Sequence, residues 1–378
     1  MSQHLREAVI DLDAVRDNTA VLVERSGAAG LMAVVKADAY GHGLVPCARA
    51  VLDGGASWLG VALVEEALAL RAAGITAPVL AWLVGPDEQW SRAVAADVDL
   101  SVSASWAVDA VRAAAGALGR PARVHLKVDT GLGRGGSVPT DWPELVAHAR
   151  RGEQEGRLDV VGVWSHFAYA DAPGHPTIDR QLATFHEALA VAAAAGLRPR
   201  VRHLANSAAV VTRPDSHFDL TRPGLGLYGL SPIPGEQSAA QLGLRPAMSL
   251  TARFALVKRV PAGHGVSYGH TYTTDRETTL GLLPIGYADG VDRRAGNVGP
   301  LWAAGRRRTV AGRVCMDQLV VDLGDDAVDV GDRAVLFGDG ERGEPTAQDW
   351  ATALDTISYE VVSRIGPRVV RRFVGGTR

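Results

Sequence analysis

Short apolar runs alternate with longer alanine- and leucine-rich stretches eight times between residues 31 and 221. Short apolar runs are typical of buried strands, and the longer stretches are typical of helices. The predicted strands cover residues 31–36, 58–63, 78–83, 98–103, 122–128, 158–166, 201–205 and 217–221. The clearest predicted helices are Val64–Ala73, Ala104–Leu118 and Asp179–Ala195. Eight such units within roughly 210 residues predict an α/β fold of the (β/α)8, or TIM, barrel type, and they favour it over a doubly wound open sheet.

From about residue 240 the pattern changes to strand-like runs punctuated by Gly and Pro. These runs are Met248–Val260, Thr278–Ile285, Arg308–Asp322 and Arg333–Phe337, followed by one helical pattern at Ala347–Ile365. The sequence therefore predicts a barrel domain at 1–240 and a mostly β domain at 241–378. The opening segment Glu7–Asp13 is a candidate to pair with the second domain.

Composition excludes several classes of protein. The 378 residues are 47% hydrophobic and 21% charged, as in ordinary globular proteins, and the net charge of -3 argues against nucleic-acid binding. The basic run Arg306–Arg308 fits a solvated turn. Cys47 and Cys315 form neither a metal motif nor a disulfide framework, which suggests a reducing compartment. With no apolar signal segment at the start and no membrane-length run, a cytoplasmic protein without a membrane partner or a metal is expected.

Polar side chains follow the predicted strands at their carboxyl ends, where barrel enzymes carry their catalytic groups. Six of the eight strands are followed by such residues, and packing alone explains this poorly. In strand order they are Lys36 and Tyr40, Trp82, Lys127 and Arg134, His166, His203 with Asn206 and Ser207, and Arg222.

Lys36 is the most informative of these residues, because it directly follows the apolar run Ala33–Val35. A buried lysine is costly, but a desolvated amine can form a Schiff base with an aldehyde cofactor. The alternative is a strand-end lysine whose head group reaches water.

A G-x-G-x-x-G pattern at Gly131–Gly136 would on its own suggest a dinucleotide-binding oxidoreductase. Arg134 within it would block the close approach of a phosphate, and Pro139 and the polar stretch after it do not open a clean helix. The pattern also lies in the fifth unit rather than the first, so this interpretation is disfavoured.

The chain resembles bacterial alanine racemases along almost its whole length. The matching blocks are Val35–Gly43 (VKADAYGHG), Asp129–Arg134 (DTGLGR), Trp164–Ala168 (WSHFA), Arg222–Gly229 (RPGLGLYG), Val266–Gly269 (VSYG), Pro284–Gly290 (PIGYADG), Gly312–Gln318 (GRVCMDQ) and Ile357–Glu360 (ISYE). The resemblance implies a pyridoxal-phosphate-dependent racemase that interconverts L- and D-alanine and supplies D-alanine for peptidoglycan. His42, inside the first block, is expected to be a satisfied loop histidine.

The resemblance implies pyridoxal 5′-phosphate bound as an imine on Lys36, so that the cofactor stabilises the carbanion left by loss of the α-proton. Lys36 would serve one face of the planar intermediate and Tyr268 the other. Because tyrosine has an ordinary pKa of about 10, it needs a cationic network to act near neutral pH. The family assigns that network to His166 and Arg222, and Arg222 also faces the pyridine nitrogen.

Further site residues follow from the same resemblance. The expected cofactor site comprises Lys36, Tyr40, Trp82, His203, Asn206, Ser207, Arg222, Gly224 and Tyr359, with the phosphate at Tyr40, Asn206, Ser207, Gly224 and Tyr359. Arg134 and the Met316 backbone resemble the substrate-carboxylate site, and Asp317 and Tyr287 the entrance and pocket. Lys127 matches a position that is often carbamylated, with an unmodified lysine beside an acid as the alternative. Tyr268, Tyr287, Met316 and Asp317 are expected from the partner subunit of a homodimer.

Other functions fit parts of this pattern. A non-catalytic pyridoxal-phosphate carrier would use Lys36 and the phosphate residues but would leave Tyr268 unexplained. A serine or broad-range amino-acid racemase would share the same plan. A decarboxylase is disfavoured, because such enzymes favour an acid rather than Arg222 at the pyridine nitrogen.

Overall fold

The first strand of the chain does not enter the barrel. In the computed structural model, which describes residues 4–86 and 89–376, β1 (Arg6–Asp11) pairs antiparallel with Met248–Arg253 and parallel with Val370–Val374. The two ends of the chain therefore lie in one sheet of the second domain.

Eight parallel strands then form the barrel, so the predicted fold class is confirmed. They are β2 (Gly30–Val34), β3 (Trp58–Val61), β4 (Val79–Ala81), β5 (Val98–Val102), β6 (Ala122–Lys127), β7 (Leu158–Trp164), β8 (Val201–His203) and β9 (Leu220–Thr221). Each strand from β2 to β7 pairs with the next along the chain, and β9 pairs with β2. A parallel bridge between Asn206 and Arg222 joins the ends of β8 and β9 and closes the ring.

Helices connect these strands and pack outside them. They are α1 (Leu12–Ser26), α2 (Lys36–Gly41), α3 (Leu44–Asp53), α4 (Val64–Ala72), α5 (Trp90–Ala95), α6 (Ser105–Leu118), α7 (Trp142–Gln154), α8 (Thr177–Ala194) and α9 (Ser207–Thr212). The three helices predicted most clearly are present within two residues of their expected bounds. In α6, Ala107, Val111 and Ala115 are buried at helical spacing, which explains why this stretch lies against the sheet.

The barrel interior is filled rather than open. Its apolar part consists of Met32, Leu80 and Leu220, with Trp58, Trp82 and Val201 packed against them. Gly60 makes room for Trp82, because a Cβ at Gly60 would lie 2.6 Å from that ring. The indole can therefore extend to the carboxyl-end opening.

The second domain is mostly β, built from three sheets. Its strands are β10 (Met248–Arg253), β11 (Leu256–Val260), β12 (Gly265–Val266), β13 (Tyr272–Thr273), β14 (Thr278–Leu283), β15 (Pro300–Ala303), β16 (Arg306–Thr309), β17 (Leu319–Gly324), β18 (Arg333–Phe337) and β19 (Val370–Val374). The sheets have the orders β16-β15-β18-β10-β1-β19, β11-β14-β17 and β12-β13. Two helices, α10 (Ala347–Leu354) and α11 (Ser358–Ser363), complete the domain, and α11 packs on α2 at the barrel opening.

Three elements of this domain differ from the predicted ones. The helix predicted over Ala347–Ile365 is interrupted at Asp355, which adopts a left-handed φ of 54° and ends α10. The strand runs predicted at 248–260 and 308–322 are each divided into two strands. Within the part of the chain that the structure describes, no helix is long and apolar enough to cross a membrane.

Candidate active site

A cavity of about 530 Å³ opens at the carboxyl ends of the barrel strands, a volume suited to a small organic ligand. Its walls bring together most of the residues predicted for the site: Lys36, Tyr40, Trp82, Lys127, Arg134, His166, Asn206, Ser207, Arg222, Gly224 and Tyr359. Tyr359 comes from α11, so the second domain of the same chain forms part of the wall.

The cavity is strongly electropositive. Lys36, Lys127, Arg134 and Arg222 line it, whereas no aspartate or glutamate does among the described residues. Burial, and then the charge of Arg134, lowers the pKa of Lys36, and the same two causes lower the pKa of Lys127 to about 8. Burial lowers the pKa of Arg222 to about 9. A ligand that carries negative charge would relieve this unbalanced positive charge.

A left-handed turn directly follows Lys36. Four consecutive non-glycine residues, Ala37–Tyr40, have φ between 53° and 55°. This conformation costs about 1–2 kcal/mol per residue, so the surroundings must hold it. The Glu66 carboxylate accepts from the Ala37 N–H at 2.6 Å, and the Asp38 carboxylate accepts from the Leu44 N–H at 2.7 Å. The turn presents both Lys36 and Tyr40 to the cavity.

His42 supports this turn from below. Its ring is fully buried, and Nδ1 lies 3.0 Å from the carbonyl oxygens of Ala39 and Tyr40, so this nitrogen carries the proton. The ring stacks on Tyr228 with 4.5 Å between centroids, and burial lowers the pKa of His42 to about 4. His42 is therefore a neutral, structural histidine.

Hydroxyl groups converge on the glycine turn at Gly224. A Cβ at this position would lie 2.2 Å from the Tyr40 hydroxyl, so only glycine admits that hydroxyl. The Ser207 hydroxyl accepts from the Gly224 N–H at 2.8 Å, and the rings of Tyr40 and Tyr359 lie 6.0 Å apart. Burial raises the pKa of Tyr40, which keeps its hydroxyl a donor. These donors form a compact cradle suited to a phosphate.

Trp164 forms the floor beneath two of the cations. The Lys127 ammonium lies 4.5 Å from the centroid of this ring, and the Arg222 guanidinium lies 4.8 Å from it. Trp164 was not among the predicted site residues. Its position as the last residue of β7, two residues before His166, was the available signal.

His203 does not line the cavity, although it was predicted among the cofactor residues. It is fully buried below the cavity, where its Nδ1 lies 3.1 Å from Nη1 of Arg222. Nη2 of Arg222 lies 2.7 Å from the Ser165 carbonyl oxygen and 3.4 Å from Nδ1 of His166. His203 therefore contacts the cavity wall from behind, through Arg222 and through Trp164, whose ring stacks on it with 5.6 Å between centroids.

Four predicted residues lie outside this cavity, on the second domain: Tyr268, Tyr287, Met316 and Asp317. Tyr268 is 71% exposed, which is unusual for a large aromatic side chain. The segments that carry these residues are adjacent, because the Tyr287 N–H donates to the Cys315 carbonyl oxygen at 3.0 Å and the Ser267 hydroxyl donates to the Arg313 carbonyl oxygen at 2.6 Å. Within the described part of one chain, these four residues therefore do not share a cavity with Lys36.

Fold and cavity together define a class. The protein is a two-domain barrel enzyme with a cationic cavity, of a size suited to a small organic ligand, at the carboxyl ends of its strands. Residues 10–232 match the family model for the alanine racemase N-terminal domain, and residues 247–373 match the model for the alanine racemase C-terminal domain.

Whole-chain comparisons agree with these matches. The alanine racemase of Frankia casuarinae is 62% identical over 367 residues, which cover 97% of this chain and 96% of that protein. The crystal structure of alanine racemase from the D-cycloserine producer Streptomyces lavendulae superposes with a TM-score of 0.99 at 57% identity, covering 100% of this chain and 99% of the other. The structure of the enzyme from Streptomyces coelicolor gives 0.97 at 58% identity, with 98% of each chain covered. The chain belongs to the alanine racemase family of isomerases.

Proposed function

We propose that the enzyme binds pyridoxal 5′-phosphate on Lys36 and interconverts L- and D-alanine, in the cytoplasm, to supply D-alanine for peptidoglycan. The observation that carries this proposal is the partly desolvated lysine in a cavity lined by four cations and by no carboxylate of the described chain. Such a cavity suits a ligand that brings both a phosphate and a carboxylate.

The residues present fit this cofactor. Lys36 would hold its aldehyde carbon, the cradle of Tyr40, Ser207 and Gly224 its phosphate, and Arg222 would face its ring nitrogen. When bound, pyridoxal phosphate acidifies the Cα–H of an amino acid by delocalising the electron pair left behind. Asn206, Trp82 and Tyr359 complete the proposed contacts, and His203 contributes through Arg222.

Lys36 is proposed as the base on one face of the substrate. Only the neutral amine can accept a proton, and the lowered pKa of Lys36 raises the fraction of neutral amine near neutral pH. The nearby Arg134 contributes to this lowering, and it is also the proposed partner of the substrate carboxylate. Binding and proton transfer are therefore coupled through one guanidinium.

Tyr268 is proposed as the second base, contributed by the partner subunit of a homodimer. Its exposure in the single chain, together with that of Tyr287 and Met316, supports a face that is completed by a second copy. Tyr287, the Met316 backbone and Asp317 would then border the substrate pocket of the other protomer.

His166 is proposed to link Arg222 to Tyr268. Burial, and then the charge of Arg222, lowers the pKa of His166 well below its usual value, so the ring is neutral. Because a guanidinium can only donate, the Arg222 contact leaves the proton of His166 on Nε2, where it is available to the tyrosine oxygen. This arrangement would supply an N–H donor to the Tyr268 oxygen when the substrate proton is transferred.

Two other functions would differ from alanine racemisation in their substrate turnover. A carrier of pyridoxal phosphate would bind the cofactor without turnover, and a serine or broad-range racemase would turn over L-serine as well as L-alanine. Measuring kcat/KM for both amino acids separates the three functions. We expect a clear preference for alanine, and equal values would overturn the substrate assignment.

Replacing Gly224 with alanine is expected to weaken cofactor binding about 10- to 100-fold, the loss of one hydrogen bond to a charged group. The new Cβ would displace the Tyr40 hydroxyl. Titration of the apoenzyme with pyridoxal phosphate measures this change. Gly235→Ala is the matched control, because a Cβ at Gly235 has no neighbour within 4 Å. Equal affinity in the Gly224 variant would exclude this cradle.

Lys127 is proposed to carry a carbamate that holds Arg134. It forms no ion pair with a carboxylate in the described ranges, and its pKa of about 8 supplies the neutral amine to which carbon dioxide adds with release of one proton. After equilibration with ¹³C-bicarbonate, we expect a carbamate carbon signal that grows as the pH rises through 8 and is absent from Lys127→Arg. A signal that persists in this variant would place the modification elsewhere.

A further inference from the structure

Four buried polar side chains form an unbroken chain across the barrel interior. Nη1 of Arg222 lies 3.1 Å from Nδ1 of His203, and Nε2 of His203 lies 2.8 Å from Nδ1 of His125. Nε2 of His125 lies 3.0 Å from Oδ2 of Asp99. The chain starts at the carboxyl-end cavity and ends at the second residue of β5, near the opposite end of the barrel.

The direction of every hydrogen bond between these four side chains is set at both ends, because the Asp99 carboxylate can only accept from His125 and Arg222 can only donate to His203. Arginine can only donate, so Nδ1 of His203 must accept, and its proton resides on Nε2. This proton is donated to Nδ1 of His125, whose own proton must therefore reside on Nε2 and be donated to Asp99. One tautomer of each ring satisfies all three contacts.

These polar side chains occupy space in the barrel interior that a neighbouring glycine leaves open. Barrel interiors are ordinarily filled by branched apolar side chains, whereas Asp99, His125 and His203 are all fully buried here. Gly162 on β7 accommodates the imidazole, because a Cβ there would lie 2.4 Å from Nδ1 of His125. Trp58 packs edge-on against the same ring at 5.5 Å.

At the far end of this series of hydrogen bonds, Asp99 is held by the charged side chain of Arg123. Arg123 donates to Asp99 from Nε and Nη2, at 2.5 Å and 3.1 Å. Burial tends to raise the pKa of Asp99, but the hydrogen bonds from His125 and Arg123 outweigh it, so the pKa is lowered and the carboxylate is charged. Burial, followed by the charge of Arg222, lowers the pKa of His203 well below its usual value, which keeps this ring neutral.

We propose that His125, anchored by Asp99, is a positioning residue that sets the tautomer of His203 and thereby holds the Arg222 guanidinium against the cavity. Without His125, the Nε2 proton of His203 has no acceptor. Moving this proton to Nδ1 would place two donors against each other at the contact with Arg222. The consequence for catalysis rests on the proposed role of Arg222 at the cofactor, whereas the tautomer of His203 does not.

The test uses ¹⁵N-histidine-labelled holoenzyme, with His203→Asn to assign the signal of that residue. In the unmodified enzyme we expect His203 to be protonated at Nε2 and unprotonated at Nδ1. In His125→Leu we expect loss of this pure tautomer and a fall in kcat on the order of 10- to 100-fold, as for other residues that orient a ligand-contacting group. His125→Gln, whose amide can accept from His203 and donate to Asp99, should restore much of both.

Leu80→Ala is the matched structural control. Leu80 is fully buried and lies beside Asp99 in the register of β4 and β5, but it has no polar atom in its side chain. This variant should lose thermal stability while it keeps the His203 signal and kcat. Equal losses in Leu80→Ala and His125→Leu would reduce His125 to a packing role.

A proton on Nδ1 of His203 in the unmodified enzyme would overturn the proposal, and this result does not depend on the folding of any His125 variant. An unchanged His203 signal and kcat in His125→Leu would overturn it as well. Failure of the unmodified enzyme to racemise alanine would instead count against the proposed function, since the tautomer measurement is independent of turnover.

Discussion

Replacing Lys36 with alanine is expected to abolish the visible absorbance of bound pyridoxal phosphate and to lower racemisation by at least about 10²- to 10⁴-fold, the usual contribution of a positioned acid–base group. Both the covalent attachment of the cofactor and one proton acceptor would be lost. The absorbance spectrum of the purified variant with added cofactor, and its turnover of L-alanine, measure the two effects.

The small number of lysines in this sequence provides a simple control for the assignment of Lys36 as the attachment site. The sequence holds three lysines, Lys36, Lys127 and Lys258, and of these only Lys258 lies away from the cavity, on the exposed strand β11. Lys258→Ala should keep both absorbance and turnover. After borohydride reduction, peptide mapping should find the cofactor on Lys36. Label on another lysine, or absorbance retained in Lys36→Ala, would show that the attachment site is wrong.

Replacing Tyr268 with phenylalanine is expected to slow racemisation of L-alanine by about 10²- to 10⁴-fold while cofactor binding persists. The substitution removes only the hydroxyl that is proposed to exchange the proton on the second face. Tyr272→Phe is the matched control from the same segment, because the Tyr272 hydroxyl bonds to Asp322 at 2.7 Å and not to the cavity. Unchanged turnover in Tyr268→Phe would remove this residue from the mechanism.

Mixing the two inactive variants tests whether the site is shared between subunits. In a mixed dimer of Lys36→Ala and Tyr268→Phe chains, a shared site would combine the intact Lys36 of one chain with the intact Tyr268 of the other. Activity should therefore reappear on subunit exchange. Continued inactivity of mixtures shown to contain mixed dimers would mean that both residues act within one chain.

Much of the barrel could be predicted from local pattern, because buried parallel strands are short apolar runs and their connecting helices are amphipathic. The second domain was less predictable at the points where its predicted helix and strands are interrupted. The interruption at Asp355 depends on a left-handed conformation that this residue type adopts only in context. The two divided strand runs contain apolar residues on both sides of their breaks, so hydrophobicity alone does not mark the division.

The residues that line the cavity were predictable where the family motifs name single residues, and less so where the tertiary structure decides their position. Lys36 and Arg222 line the cavity as predicted, whereas His203, on the same ring of strand ends, points below it. The left-handed turn at Ala37–Tyr40 runs against the local preferences of its own residues. The chain from Asp99 to Arg222 joins four different strand segments, and no spacing within the sequence relates them.

The most direct test of the central claim follows L-alanine with the purified enzyme and pyridoxal phosphate in D₂O. We predict loss of optical activity together with deuterium uptake at Cα, because two bases on opposite faces exchange their protons with solvent. Deuterium uptake without racemisation would contradict the two-base account and the role of Tyr268. Neither change, with the cofactor still bound, would contradict the assignment as an alanine racemase and favour a carrier or another substrate.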